Sequence, residues 1–239
     1  MRPVPGFPAV LLDIEGTTTP ISFVHEVLFP YAARHCADFL AGRRADPEVA
    51  EALRLLAEEH RLASAREEEV PAFGDGLPFV RFLMARDRKS AGLKLLQGLL
   101  WKEGYESGKL HGQVFADVPP AFAAWRQAGA RLRIFSSGSV LAQRLLFSTT
   151  PEGDLTVFLE GFHDLATGPK HEPGSYRTIA GAFGVAPAEV LFVSDSPVEL
   201  DAAAAAGLAT RLAERPGNPE VTAGRHLRIR SFAEISGSD

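Results

Sequence analysis

The segment DIEGTTTP at residues 13–20 decides the fold of this chain of 239 residues. It follows the apolar run Ala9–Leu12, which is too short for a helix and predicts a strand buried on both faces. A glycine, three threonines and a proline end this strand behind its first polar residue, Asp13. Asp13 is therefore expected at the carboxyl end of a central strand, where open α/β sheets bind their ligands. A carboxylate in that place can bind a cation, attack an electrophile, or do both.

The composition and the charge exclude several classes of function. A chain of 239 residues can form one sizeable core, or a core with a modest second domain. Its formal net charge of −5 provides no basic surface for nucleic acid. The sequence shows no apolar stretch long enough to span a bilayer and no secretory signal before Asp13. The single cysteine, Cys36, cannot form an internal disulfide, which suits a reducing cytoplasm. Taken together, these observations predict a cytoplasmic protein without membrane or nucleic-acid partners.

Strands alternate with helices in the part of the chain after residue 113. Apolar runs predict further strands at residues 132–135, 157–162, 190–193, 210–212 and 227–229. Most of the helical patterns between them end at a glycine. Because this alternation is typical of right-handed βαβ units, the sequence predicts an α/β fold with a doubly wound, mainly parallel sheet.

A long helical insert separates the first strand from the others. Residues 22–112 are far too many for a loop between a strand and a helix. The patterns predict helices at residues 24–40 with a kink at Pro30, at 48–62, and at 77–105 with a break near 86–90. We therefore predict a core of residues 1–21 and 113–239 and a helical cap domain of residues 22–112. An insert attached next to Asp13 is well placed to act as a lid.

Polar residues end three of the predicted strands: Asp13, the pair Ser136 and Ser137, and Asp195. A lone aspartate in such a place is usually a turn or cap residue. Two carboxylates at neighbouring strand ends, however, repel one another unless a cation lies between them. Mg²⁺ suits this place because it takes few protein carboxylates and keeps coordination positions for phosphate oxygens. The serine hydroxyls and the free N–H groups at the start of the following helix suit a phosphate.

Lys170 is the remaining cation candidate. A lone loop lysine is normally solvated, but Lys170 lies between Pro169 and Pro173, just before a predicted helix. Phosphoryl transfer needs a cation besides the metal to balance the charge on the phosphoryl oxygens. We therefore expect Lys170 near the same edge of the sheet.

The order of these residues resembles that of a known superfamily. Asp13, Thr17, Ser136 or Ser137, Lys170 and Asp195, in this order, are similar to the motifs of the haloacid dehalogenase (HAD) phosphohydrolases. Most of those enzymes carry aspartate two residues after the nucleophile, where this chain has Glu15.

Further strings narrow the resemblance to the enolase-phosphatase (acireductone synthase) family of methionine salvage. They are LLDIEGTTTPI at residues 11–21, LFPY at 28–31, DRK at 87–89, LQG at 96–98, WKEGY at 101–105, FADV at 115–118 and SSGSV at 136–140. The similarity runs from about residue 9 to residue 218, which is nearly the whole chain. It implies a HAD-like Rossmann-type core with a cap, in a monomer whose partner is a small phosphorylated substrate.

The family resemblance implies two reactions on 2,3-diketo-5-methylthiopentyl-1-phosphate: an enolisation, and then removal of the phosphate to give the acireductone. It implies that Asp13 attacks phosphorus and forms an aspartyl-phosphate. It also implies that Mg²⁺ is bound by the carboxylates of Asp13 and Asp195 and by the backbone carbonyl of Glu15. A hydroxyl of Ser136 or Ser137 is expected to hold the phosphoryl group.

The remaining charged residues have roles that the resemblance leaves open. Lys170 is expected to balance the charge on Asp13. Glu15 can protonate the leaving oxygen and activate water, or it can transfer the proton in enolisation, and our hypothesis is that it does both in turn. Glu199 lies one helical turn after Asp195, where it can orient a metal-bound water or serve only as an acid at the start of a helix.

The aromatic residues Phe23, Phe29, Trp101 and Tyr105 are candidates for an apolar wall around the methylthio tail, although packing between the helices of the cap is the stronger explanation for each one singly.

Two other functions fit parts of the pattern. One is another capped HAD phosphatase or mutase, acting on a sugar phosphate or on phosphoglycolate; Glu15 and the string at residues 101–105 argue against it. The other is a phospho-accepting receiver domain, which uses an aspartate and Mg²⁺ as a switch but needs no insert of this length.

Overall fold

The computed structural model describes residues 7–66 and 69–235 of the chain. Its internal contacts divide the chain into two units, one ending at Val24 and resuming at His111, the other His25–Leu110. That the two units are a core domain and a cap domain, with the boundaries after residues 21 and 112 that the sequence predicts, stays a prediction. That the helical unit acts as a lid stays a prediction.

One six-stranded sheet forms the centre of the first unit. Its strands are β1 (Ala9–Leu12), β2 (Arg131–Phe135), β3 (Leu159–His163), β4 (Val190–Ser194), β5 (Ala209–Ala213) and β6 (Leu227–Ile229). They lie in the order β3-β2-β1-β4-β5-β6, and every neighbouring pair is parallel. The expected parallel α/β fold is thus confirmed, and β1 lies at its centre between β2 and β4.

Helices cover both faces of this sheet. They are α5 (Val118–Gln127), α6 (Val140–Ser148), α7 (Pro173–Phe183) and α8 (Pro197–Ala205). Leu11 of β1 belongs to a buried cluster with Tyr176 of α7 and Leu200 of α8. Because side chains alternate along a strand, Leu12 points to the opposite face of the sheet. On β3, α6 packs through a contact between the rings of Phe147 and Phe162.

The sheet-forming unit differs from the expected pattern at β3. The sequence predicts a strand at residues 157–162, but the strand begins at Leu159. The preceding Leu155–Phe158 form a 3₁₀ turn, because the Asp154 side chain accepts a hydrogen bond of 2.8 Å from the Thr156 N–H.

The unit from His25 to Leu110 is helical. It contains α1 (Phe29–Arg43), α2 (Pro47–Ala65), α3 (Leu77–Ala85) and α4 (Ala91–Glu106), which share one apolar cluster that includes Cys36, Leu56, Phe79 and Leu96. The expected break between residues 86 and 90 is confirmed. Ser90 caps α4 by accepting a hydrogen bond of 2.9 Å from Leu93 N.

The kink expected at Pro30 stays a prediction. Phe23–Leu28 are wound as a π-helix that leads directly into α1, since Leu28 itself has the helical angles φ −67° and ψ −50°. Pro30 therefore lies just after a π-helical segment, which is among the known causes of bends in helices. In the part of the chain that the structure describes, no helix has the length and apolar character required to cross a membrane.

A buried ion pair connects the ends of several elements in the sheet-forming unit. Arg215, which is 5% exposed, donates from Nη1 to Asp117 Oδ2 at 2.8 Å and from Nε to the Thr17 carbonyl at 3.0 Å. The rings of Phe115 and Phe232 lie 4.8 and 4.4 Å from its guanidinium carbon. Burial raises the pKa of Asp117, but hydrogen bonds from the Phe232 N–H and from Arg215 outweigh it, so the pKa lies below its usual value.

We predict that Asp117→Asn lowers the free energy of unfolding by about 3 kcal/mol at pH 7, because it leaves the Arg215 charge buried without its partner. Since the pKa of Asp117 is lower in the folded state, this stabilisation is present above the unfolded pKa of about 3.9 and is lost as the pH falls through the folded value. Urea unfolding at about pH 7 and about pH 3 should therefore show a smaller difference between wild type and variant in acid.

The matched control is Glu51→Gln, which removes the solvent-exposed Arg54–Glu51 pair. We expect this control to unfold like the wild type. An Asp117→Asn protein as stable as the control at neutral pH would contradict the assignment.

Candidate active site

The carboxylate of Asp13 lies at the carboxyl end of β1 and is held at both oxygens. It is 5% exposed. Oδ1 accepts hydrogen bonds of 2.7 Å from the Ile14 N–H and from Lys170 Nζ. Oδ2 lies 3.1 Å from Ser194 Oγ. The side chain thus faces a polar cluster at the end of the sheet rather than the apolar interior.

Lys170 is a buried cation in this structure and not a solvated loop residue. Its Nζ lies 2.7 Å from Asp13 Oδ1 and 2.6 Å from Glu199 Oε2. Burial lowers the pKa of Lys170, but the charges of Asp13 and Glu199 outweigh burial and raise it above the ordinary value, so the side chain is an ammonium. The loop is fixed by α7, because Tyr176 donates its hydroxyl proton to the Lys170 carbonyl at 2.7 Å.

Glu199 pairs with Lys170 and contacts Ser194. Ser194 Oγ lies 3.2 Å from Glu199 Oε2 and can donate its one proton either to this oxygen or to Asp13. Burial and the negative charge of Asp13 raise the pKa of Glu199 to about 7, against the opposing effect of Lys170. Glu199 lies in the first turn of α8, as expected from the sequence, and its contact with Lys170 comes in addition. That it orients a metal-bound water stays a prediction.

Asp195 follows β4 and carries excess negative charge. Burial and the charges of Asp13 and Glu15 raise its pKa to about 7, although Lys170 opposes this. The loop after β1 passes directly against it: Gly16 has a φ of +66°, and a Cβ at this position would overlap the Asp195 carboxylate. Only glycine combines this backbone conformation with so close an approach.

These residues fit a bound magnesium ion. In the described residues, no group of three or more His, Cys, Asp or Glu side chains could hold a metal. The carboxylates of Asp13 and Asp195 are close enough for the charge of one to raise the pKa of the other, and such oxygen donors are the ligands that Mg²⁺ prefers. That these two carboxylates and the Glu15 carbonyl bind the ion stays a prediction. The charge that raises the pKa of Asp195 is also the charge that a divalent cation would neutralise.

Ser136 and Ser137 lie at the end of β2, next to the end of β1. The Ser136 N–H donates to the His163 carbonyl at 3.1 Å, and Ser136 is 8% exposed, whereas Ser137 is exposed. Ser139 caps α6 by accepting from Ala142 N at 3.2 Å. The loop thus leads directly into a helix N-terminus, as expected for a phosphate-binding segment. That the hydroxyl of Ser136 or of Ser137 contacts the phosphate stays a prediction.

Several residues of this region carry no signal in the sequence. Buried Gln143 holds the serine loop, because its Nε2 lies 2.9 Å from both the Gly138 and the His163 carbonyls. Asn218 Nδ2 donates to the Gly16 carbonyl at 2.8 Å. Such bonds from a side chain to a distant backbone follow no periodicity, and only the position of Ser194 at a strand end could have pointed to its place in the site.

The aromatic candidates have packing roles within their own units. In the helical unit, Trp101 Nε1 donates to the Leu28 carbonyl at 2.9 Å, and its ring is stacked on Phe29 with 6.3 Å between centroids. Tyr105 is buried in the same unit and Phe23 in the other one. Contact of any of them with a ligand stays a prediction.

Comparisons with known proteins agree with this arrangement. A family model described as haloacid dehalogenase-like hydrolase matches residues 7–207. The enolase-phosphatase E1 of Synechococcus elongatus is 54% identical over 95% of this chain and 96% of its own length, and that of Sorangium cellulosum is 47% identical over 95% and 97%. The crystal structure of the UTR4 protein of Saccharomyces cerevisiae matches with a TM-score of 0.76 and 38% identity, over 95% of this chain and 98% of that one. This chain therefore belongs to the enolase-phosphatase E1 family of haloacid dehalogenase-like hydrolases.

Proposed function

We propose that this protein is the enolase-phosphatase of methionine salvage, which enolises 2,3-diketo-5-methylthiopentyl-1-phosphate and then hydrolyses its phosphate ester to the acireductone. The observation that carries the proposal is the Asp13 carboxylate at the end of β1, held 2.7 Å from a buried lysine. The names of relatives that are 54% and 47% identical over nearly the whole chain support the choice of substrate. A cytoplasmic location and a monomeric state stay predictions.

Asp13 is the nucleophile of the proposed hydrolysis. One of its carboxylate oxygens attacks phosphorus, the bond from phosphorus to the ester oxygen of the substrate breaks, and an aspartyl-phosphate forms. Water then attacks phosphorus, releases inorganic phosphate and restores the carboxylate. The hydrogen bonds from Ile14 N and Lys170 Nζ fix the carboxylate before the substrate arrives, so little reorientation is needed in the transition state.

Lys170 and the serine loop balance the charge of the transferring group. The ammonium of Lys170 is kept protonated and aligned by Glu199, at 2.6 Å, and offsets the charge of Asp13. The hydroxyl of Ser136 or Ser137 and the N–H groups before α6 donate to the phosphoryl oxygens. Mg²⁺, when held by Asp13, Asp195 and the Glu15 carbonyl, supplies neutralisation of the phosphoryl charge and polarisation of the substrate carbonyl.

Glu15 transfers the protons in our proposal. It removes a proton from the substrate carbon next to the carbonyl, which leaves an enolate. It gives this proton to the leaving ester oxygen, then accepts a proton from the attacking water, and finally passes that proton to the enolate oxygen, which completes the enediol and restores the Glu15 carboxylate. Its side chain is one methylene longer than the aspartate usual at this position, so its carboxyl reaches further toward the substrate.

The test of the proposed function is phosphate release from the diketo phosphate in the presence of Mg²⁺, with ultraviolet detection of the enediol product. We expect release and absorbance to appear together, to stop when a chelator removes the metal, and to return when Mg²⁺ is restored. Hexose phosphates and phosphoglycolate form the comparison panel. Fast release from these esters with none from the diketo phosphate would overturn the proposal.

We predict that Asp13→Asn lowers kcat for phosphate release by about 10³-fold or more, because the amide is a poor nucleophile and cannot carry the phosphoryl group. Mass spectrometry of the quenched wild type should find phosphate on Asp13 and none on the variant. The matched control is Asp154→Asn at an exposed turn, which should keep full activity. Full turnover of Asp13→Asn would exclude a covalent mechanism at this residue.

We predict that Glu15→Gln slows both reactions by about 10²-fold or more, because the amide can neither accept nor donate the proton. Enolisation is followed by deuterium uptake from heavy water at the carbon next to the carbonyl, and hydrolysis by phosphate release. If deuterium uptake proceeds at the wild-type rate in the variant, Glu15 acts in the hydrolysis alone.

A further inference from the structure

Two side chains from the segment after β5 hold consecutive carbonyls of the loop that follows β1. Arg215 Nε donates to the Thr17 carbonyl at 3.0 Å, and Asn218 Nδ2 donates to the Gly16 carbonyl at 2.8 Å. Arg215 is also bound to Asp117, so its part in the fold is clear without reference to the site. Asn218 carries no charge, so no ion pair explains its position, and its hydrogen bonds require a separate explanation.

The amide of Asn218 lies where the loop after β1 meets the ends of β4 and β5. Besides the Gly16 carbonyl, its Nδ2 lies 3.5 Å from Asp195 Oδ2 and 3.4 Å from the Ala213 carbonyl. An amide has two protons, and the distance to Gly16 is the shortest of the three, so this bond takes one of them. The remaining proton is shared between an acceptor of the sheet and the Asp195 carboxylate.

Gly16 needs an external constraint more than any other residue of the loop. Its φ of +66° is accessible to glycine without cost, but glycine also loses most freedom when it is fixed. Its N–H donates to the Thr19 carbonyl at 2.8 Å, and its own carbonyl accepts from Asn218. The N–H bond holds the peptide that carries the Glu15 carbonyl, and the bond from Asn218 holds the next peptide. Together they set the two backbone angles of Gly16, and with them the direction of the peptide that carries the Glu15 carbonyl.

We propose that Asn218 is a positioning residue: its amide fixes the Gly16 carbonyl and, through it, the placement of the Glu15 carbonyl and side chain beside the Asp195 carboxylate. The inference rests on the proposed function for its kinetic consequence, but the effect on the loop and on Mg²⁺ binding does not depend on the substrate. Asn218 touches neither the reacting atoms nor the nucleophile in this structure and acts only through the residues that it holds.

The test compares the full-length wild type with Asn218→Ala, which removes the amide. Hydrogen–deuterium exchange without metal should be faster in peptides covering residues 14–19 and unchanged in peptides from β4. The affinity for Mg²⁺ alone, measured by calorimetry and by the rise of Tm on adding the ion, should fall about 10-fold or more, as is typical when a residue that supports metal ligands is lost. The value of kcat should fall by a similar factor with little change in KM.

Two further variants make the result decisive. Glu220→Ala, at an exposed position of the same segment, should match the wild type in every measurement. Asn218→Ser keeps a polar group but is too short to reach the Gly16 carbonyl, and it should show the same losses if Asn218→Ala does not fold. Unchanged exchange at residues 14–19 and unchanged Mg²⁺ affinity in either folded variant would overturn the inference. A wild type that fails on the diketo phosphate while the variants still lose Mg²⁺ affinity would overturn the proposed function alone.

Discussion

The buried contact between Lys170 and Asp13 is the constraint to which the rest of the site is adjusted. Removing two charges from water costs several kcal/mol per ion, and only close pairing with further hydrogen bonds offsets that cost. The ammonium therefore has a second carboxylate at 2.6 Å, and the carboxylate of Asp13 has a backbone N–H at 2.7 Å. An apolar pair of similar volume would serve stability as well, so this arrangement is explained by chemistry rather than by folding.

The cluster is nevertheless unbalanced. Among the described residues, Lys170 pairs with Asp13 and Glu199. Burial and the charge of Asp13 nevertheless raise the pKa values of both Asp195 and Glu199 to about 7, although Lys170 opposes the rise. Such a site is stabilised either by a proton on one of the carboxylates or by a bound cation, and a divalent cation leaves the carboxylates ionised. The same cation allows an anionic phosphate ester to approach an anionic nucleophile, which otherwise repel. The metal site and the nucleophile thus depend on one electrostatic imbalance.

Much of this fold could be predicted from the sequence because its strands are short apolar runs ended by polar residues, glycine or proline. Those signals located β2, β4, β5 and β6 and the break between α3 and α4, and the order of elements brought Lys170 to the same sheet edge as Asp13, 157 residues earlier. Local hydrogen bonding defeated the prediction at β3, where Asp154 caps a turn. Before Pro30, Phe23–Leu28 are wound as a π-helix, and the spacing of apolar residues does not reveal this widening of the helix.

The contacts that refine the site were beyond prediction for a different reason. Family resemblance correctly identified the enolase-phosphatase family and supplied the residues of its motifs, but it assigned no partner to Glu199 and no role to Asn218. Those partners are set by where side chains of distant segments end in three dimensions, as with Asn218 and Gly16, which are 202 residues apart. A single sequence contains no pattern that relates such positions.

The central place of β1 in the sheet has a consequence for how the protein folds during translation. This strand is made first, yet its two neighbours, β2 and β4, are translated more than a hundred residues later. Until then its backbone N–H and C=O groups have no partner strand and its apolar side chains have no core to enter, while residues 25–110 already contain an apolar core of their own. Contacts between residues so distant along the chain form slowly, and until they form, apolar segments that are prone to aggregate remain exposed. Lys170, Ser194 and Glu199, which surround Asp13, are thus translated only after the whole helical unit, so the catalytic centre cannot be complete before most of the chain has been made.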